Sequence, residues 1–192
     1  MAMLILGLVL FLGVHSTRIV ADGWRTQMIG KLGAMPWKAI YALLSIAGFV
    51  LLAWGYGLAR QQPLVLWTPP AGMRHLAALL MLGSFILLAA TYVPRNAIKA
   101  RLHHPMVLSV KVWALAHLLS NGNAADVLLF GALLVWAVFS FRAARARDRA
   151  AQTVYAAGSA SGTMAAVVVG ALAWALFAFW AHAWLIGVRP LG

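Results

Sequence analysis

The side chains with chemical potential are concentrated in one run, HPMVLSVKVWALAHLLSNG, from His104 to Gly122. His104, Lys111, His117 and Asn121 stand there among apolar residues. An ionisable group at the centre of a bilayer helix costs on the order of 3 kcal/mol on insertion scales, so it faces a protein interior, a polar cavity or a bound group. Imidazoles ligate metals and move protons, and a buried ammonium needs an anion. His117 and Asn121 are four apart and share a helix face, where the amide or a backbone carbonyl can fix the ring tautomer. The plainer alternatives for His117 are a helix–helix hydrogen bond or a partner for the helix C-terminal dipole. Lys111 precedes His117 by six residues, about 9 Å along a helix axis. It either meets an anion or snorkels to the headgroups. His104 shares a face with Lys111, and Pro105 fits the first turn of a helix. A further candidate is His15 in GVHSTR, with Arg18 one turn on. His75 and His182 read as interfacial or packed against aromatics, and His103 belongs to the junction before Pro105.

The elements that position these residues are apolar spans. A bilayer crossing needs about 20 mostly apolar residues. Runs of this kind cover Met1–Thr17, Ala39–Ala59, His75–Val93, Pro105–Leu119, Val127–Phe141 and Thr163–Val188. The expected fold is therefore all-α: a polytopic membrane bundle of six transmembrane helices forming one domain over residues 1–192. SNGN, Ser120 to Asn123, joins the fourth and fifth spans tightly, and AAGSASG, Ala156 to Gly162, reads as a loop. The first span lacks a basic leader region and a small-residue cleavage site, which favours a retained helix over a signal peptide. Basic residues alternate between the two sides. Arg18 to Lys38, Arg95 to Arg101 and Arg142 to Arg149 are rich in Lys and Arg, whereas the intervening loops carry only Arg60, Arg74 and Arg189. The positive-inside rule then puts both termini outside, on the periplasmic side. Trp24, Trp37, Tyr56, Trp67, Tyr92 and Trp184 fall near span ends, as interfacial anchors do.

Composition removes other classes. The chain is 64% hydrophobic and 9% charged, against roughly 25% charged in average soluble proteins. Its net charge of +12 sits in short loops between spans, so anionic lipid headgroups explain it, and nucleic acid is not an expected partner. With no cysteine there is no disulfide, thiolate ligand or cysteine nucleophile. The acids are Asp22, Asp126 and Asp148 alone, so no paired carboxylates mark an ion path.

Read together, VHSTR (Val14–Arg18), HPM (His104–Met106), WALAHLLSNG (Trp113–Gly122) and ADVLLFG (Ala125–Gly131) resemble, in order and spacing, the NnrU family of bacterial integral membrane proteins. More distantly they resemble the plastid zeta-carotene isomerase. The resemblance implies a multi-pass protein of the bacterial inner membrane associated with denitrification, around nitrite and nitric oxide reductase expression or maturation. The related isomerase holds b-type haem through histidines in segments matching His15 and His117, so the resemblance makes these two the axial ligand candidates for haem b. Arg18 and Lys111, on the basic side of the two histidines, would then address its propionates, with His104 and Asn121 completing the expected cofactor site. The relative's cysteine three residues before the second ligand falls on Ala114, which argues against sulfur ligation. Helix counting sets His117 nearer the outer surface than His15, a mismatch that a tilted fourth helix would remove.

The leading expectation is thus a haem-b-binding membrane protein in redox support of nitrogen-oxide respiration. Alternatives are a haem-dependent isomerase of an isoprenoid or lipid, a methyltransferase using S-adenosylmethionine, and a non-catalytic assembly partner of denitrification enzymes. The methyltransferase alternative rests on the His104–Pro105 junction, similar to that of isoprenylcysteine methyltransferases, but the chain lacks acids to hold a ribose.

Overall fold

The computed structural model describes residues 1–191, which form eight helices. They are α1 (Ala2–Val20), α2 (Asp22–Leu32), α3 (Ala34–Ala59), α4 (Met73–Tyr92), α5 (Ala97–Leu102), α6 (Pro105–Ser120), α7 (Ala124–Ala150) and α8 (Ala160–Ile186). α8 passes through a π-helical turn at Phe177–Ala181. Helices α1, α3, α4, α7 and α8 are long and apolar enough to cross a membrane.

The expected count of six spans is therefore corrected to five. The run assigned as the fourth span is α6, whose 16 residues reach about 24 Å, short of the ~30 Å hydrocarbon core. Its limits are chemical. Pro105 occupies the first turn, and Asn121, extended at φ −133° and ψ 132°, ends the helix. The placement of both termini outside rested on six crossings and is withdrawn with that count. The basic stretches treated as loops also contain the short helices α2 and α5.

Two seams organise the bundle. Along the first, α1 lies against α3 for most of its length. Here Gly48 meets the Phe11 backbone and Gly55 meets that of Leu4; a methyl at Gly48 would lie 2.7 Å from the Phe11 nitrogen. Membrane helices gain little from apolar transfer, so this backbone approach supplies the dispersion contact that holds them. The second seam joins α4 to α6 and α8, with Gly170 against Ile86 and the Ser84 hydroxyl donating to the Ser109 carbonyl at 2.9 Å. α7 bridges the seams by packing on α6 and α1. The core is small-residue and aliphatic, with Leu4, Ala114, Ala116, Ala137 and Ala166 buried. Large apolar side chains such as Leu43, Phe49, Trp54, Leu79 and Leu172 point outward, as a lipid-facing surface requires.

The basic stretches gather at one end of the bundle, where Arg147 donates to the Arg18 carbonyl and Ser159 to that of Arg95. At the opposite end the loop after α3 pairs with the turn before α7. Leu66 donates to the Gly122 carbonyl at 2.8 Å and Ala124 to that of Leu64 at 2.9 Å. Gly122 is obligatory there, since a side chain would fall on the Trp67 carbonyl.

Candidate functional site

At the basic end α1, α2 and α3 enclose a half-open cavity of about 310 Å³. Its lining includes His15, Thr17 and Arg18 from the end of α1, Arg25 from α2, and Trp37, Lys38 and Tyr41 from the start of α3. The sequence builds it through a sharp corner. α1 ends at Val20, Ala21 breaks the helix, and α2 turns back under α3, where Trp24 meets Trp37 edge-on at 5.7 Å. Three cations thus converge on one concavity with no carboxylate in its lining. Asp22 lies at its edge, 3.5 Å from Arg25. The His15 Nδ1 hydrogen donates to the Phe11 carbonyl at 2.7 Å, which leaves Nε2 with its lone pair in the neutral ring. Around that ring stand Tyr41 at 5.3 Å and Trp136 of α7 at 6.1 Å. The Trp136 Nε1 and the Ser45 Oγ, one turn beyond Tyr41, are buried without hydrogen-bond partners. The cavity lining is cationic and partly aromatic, while the Trp136 and Ser45 donors lie outside that lining.

A second cluster forms where α5 meets α6. His103 sits at φ 70°, ψ −62°, and the His104 N–H donates to the Leu102 carbonyl at 3.0 Å. This is a γ-turn of the rare, strained hand, and such a residue costs about 1–3 kcal/mol. The surroundings hold it in place. His104 Nε2 lies 2.8 Å from the Asp148 carboxylate of α7, and the Tyr155 hydroxyl donates to the same oxygen at 3.0 Å. Arg145 approaches that oxygen at 3.4 Å. The His103 ring packs edge-on against Tyr155 at 4.2 Å, and its Nδ1 is buried without a partner. Burial, with Arg145 beside it, holds the His103 imidazole below the ordinary histidine range. Burial and the bond to Asp148 push the Tyr155 phenol above the ordinary tyrosine range.

His117 lies elsewhere, toward the opposite end, stacked on Phe130 of α7 at 4.5 Å. Its Nδ1 hydrogen donates to the Trp113 carbonyl at 2.9 Å, so a backbone carbonyl rather than Asn121 sets its tautomer. The Asn121 amide turns back to the His117 carbonyl at 2.9 Å. Lys111 places its ammonium over the Phe141 ring at 5.3 Å. Phe141 is eleven residues from Phe130 on α7, about 16 Å along the axis, so Lys111 and His117 do not share a site.

This arrangement corrects the expectation of haem b. Among the described residues no group of three or more His, Cys, Asp or Glu could hold a metal ion. The two imidazoles proposed as axial ligands pack on different levels of α7, His15 by Trp136 and His117 by Phe130. Six residues separate those levels, about 9 Å. The helices bearing them make no substantial seam of their own, since α7 comes between. A bis-histidine haem needs both rings at one level on opposite faces of one macrocycle, and the residues present do not fit it. The haem-dependent functions, including the isomerase, fall with it.

Five long apolar helices, glycine-mediated seams and an outward-facing apolar surface define a multi-pass membrane helix bundle. Within that class the chain belongs to the NnrU family: the family model described as NnrU protein matches residues 3–190. No match was found among the curated proteins or among the solved structures.

Several residues of these clusters were not singled out from sequence. Asp148 carried a signal, being one of only three acids in a very basic chain. Tyr41, Trp136 and Tyr155 carried none, since aromatic residues in apolar helices and loops are ordinary.

Proposed function

We propose that this protein binds an anionic amphiphile, a lipid or isoprenoid with an acidic headgroup, in the cavity between α1, α2 and α3. The carrying observation is the convergence of Arg18, Arg25 and Lys38 on a cavity of about 310 Å³ whose lining holds no acid. In water, isolated exposed charges gain little from one another. At a membrane surface each adds about 1 kcal/mol of attraction to anionic headgroups, and a concave cluster adds geometry to charge. Trp37 and Tyr41 give the headgroup an amphipathic wall. His15 Nε2, as an acceptor, suits a headgroup bearing a proton, and Arg18 and Arg25 can fork onto its oxygens. The apolar tail follows the exposed sides of α1 and α3 into the bilayer. On family resemblance we place the protein in the bacterial inner membrane, beside denitrification enzymes, acting as one domain over residues 1–192.

The test is binding of full-length protein in nanodiscs to short-chain phosphatidic acid and, separately, phosphatidylcholine of equal chain length. Arg18→Gln with Lys38→Gln lowers affinity for phosphatidic acid at least tenfold and leaves phosphatidylcholine binding unchanged. Equal binding of both lipids by the unmodified protein, or an unaffected double variant, would overturn the proposal.

A further inference from the structure

The cluster at the α5–α6 junction does a different task. The chain between α7 and α8, residues 151–159, is fastened there by several bonds. Thr153 donates to the Asp148 carbonyl at 2.9 Å, Tyr155 to the Asp148 carboxylate, and Ser159 to the Arg95 carbonyl at 2.7 Å. Gly158 lies directly on the Ala97 backbone. Ser159 and Gly158 thereby clasp this connection onto the start of α5, and Tyr155 holds it beside the strained turn at His103. Within the clasp, the His103 ring fills the space beside Tyr155.

His103 is the weak member. Its Nδ1 is buried with nothing to accept a proton's charge, and the nearest carboxylate oxygen, on Asp148, is already shared by His104, Tyr155 and Arg145. The charged and titratable groups facing it are Arg145 and Asp148 from α7, His104 at the start of α6, and Tyr155 from the clasp itself. Its own helix adds Lys99 and Arg101, both positive, and α8 carries no ionisable side chain at this end. A positive charge here meets the Arg145 guanidinium and one anion that is already fully engaged. Leaving the pocket removes that conflict and releases the γ-turn together.

We propose that residues 103–105 and 151–159 form an acid-released latch, in which protonation of His103 expels its ring from beside Tyr155, relaxes the turn and frees the α7–α8 connection. The sign follows from linkage. The open form takes up a proton with the ordinary affinity of histidine, near pH 6.5, and the clasped form takes it up less readily, so acid populates the open form. Between pH 7.5 and pH 5.5 the open fraction rises about tenfold if only the open form binds the proton.

Hydrogen–deuterium exchange of the full-length protein in nanodiscs, with times corrected for the intrinsic pH dependence of amide chemistry, tests this. The expected result is about tenfold lower protection of amides 152–159 at pH 5.5 than at pH 7.5, with the centres of α4 and α7 unchanged. His103→Phe keeps an edge-on ring that cannot titrate and abolishes the difference. His103→Asn, which tolerates positive φ and does not titrate, does the same should the phenylalanine variant misfold. His104→Gln retains the difference. Equal protection in the unmodified protein at both pH values, or a persisting difference in His103→Asn, would overturn the latch.

Discussion

Removing one hydroxyl measures how much the buried acid Asp126 holds the bundle together. Tyr56 of α3 donates to Asp126 of α7 at 2.5 Å, and Asp126 is only 3% exposed. Apart from this bond α3 and α7 barely touch. Tyr56→Phe keeps the ring that meets Phe130 edge-on at 6.3 Å and Arg60 at 5.8 Å, so little packing changes. Net values for hydrogen bonds to charged groups run about 1.5–3 kcal/mol, but polar pairs measured between membrane helices average ~0.6 and reach only ~1.7. A short bond to a carboxylate this buried belongs at the top of the membrane range, so the expected loss is about 1.5 kcal/mol, roughly a tenfold shift in the unfolding equilibrium. Asp126→Asn alone is a poorer probe, because the carboxylate also serves the capping box of α7 through the Asn123 backbone and side chain. A double-mutant cycle in mixed-micelle denaturation isolates the pair. An interaction energy below about 0.5 kcal/mol would refute the claim that this bond ties α3 to α7.

Other outcomes follow from the same structure. Gly55→Leu forces α1 off α3, because even a methyl there falls on the Leu4 backbone, and the variant loses thermal stability well beyond that of Gly57→Leu, where space is open. Ser84→Ala removes the bond to the Ser109 carbonyl and costs about 1 kcal/mol in mixed-micelle denaturation. Because the Tyr155 phenol is raised, native protein keeps its proton where unfolded chain loses it. Stability therefore falls as pH rises past about 10, and Tyr155→Phe removes that part of the alkaline slope in pH-dependent denaturation. Lys111→Met changes mixed-micelle stability by less than about 1 kcal/mol, since the ammonium lies over the Phe141 ring without a carboxylate partner.

The parts of this molecule legible in sequence are those set by local composition. Apolar runs located the spans, and Pro105 marked the start of α6 because its missing N–H costs nothing there. The length of α6 misled, since Pro105–Leu119 is apolar enough for a span yet is cut by Pro105 and Asn121 to less than a bilayer crossing. Long-range pairings were not legible. His15 and His117 looked alike in one dimension, but α7 separates them, with each ring on its own aromatic level. Likewise Asp148 gave no hint of meeting His104, which lies 44 residues away in the chain, whereas its pairing with Arg145 is a local contact between residues three apart on α7.

The glycine seam between α1 and α3 has a consequence for biogenesis. These helices precede the other three long spans in the sequence, and the surface they share is made by their own residues. They can leave the insertion machinery as a zipped hairpin while α7 is still inside the ribosome. The cavity that α2 forms with α1 and α3 is then complete before the later helices arrive, because none of its lining comes from them.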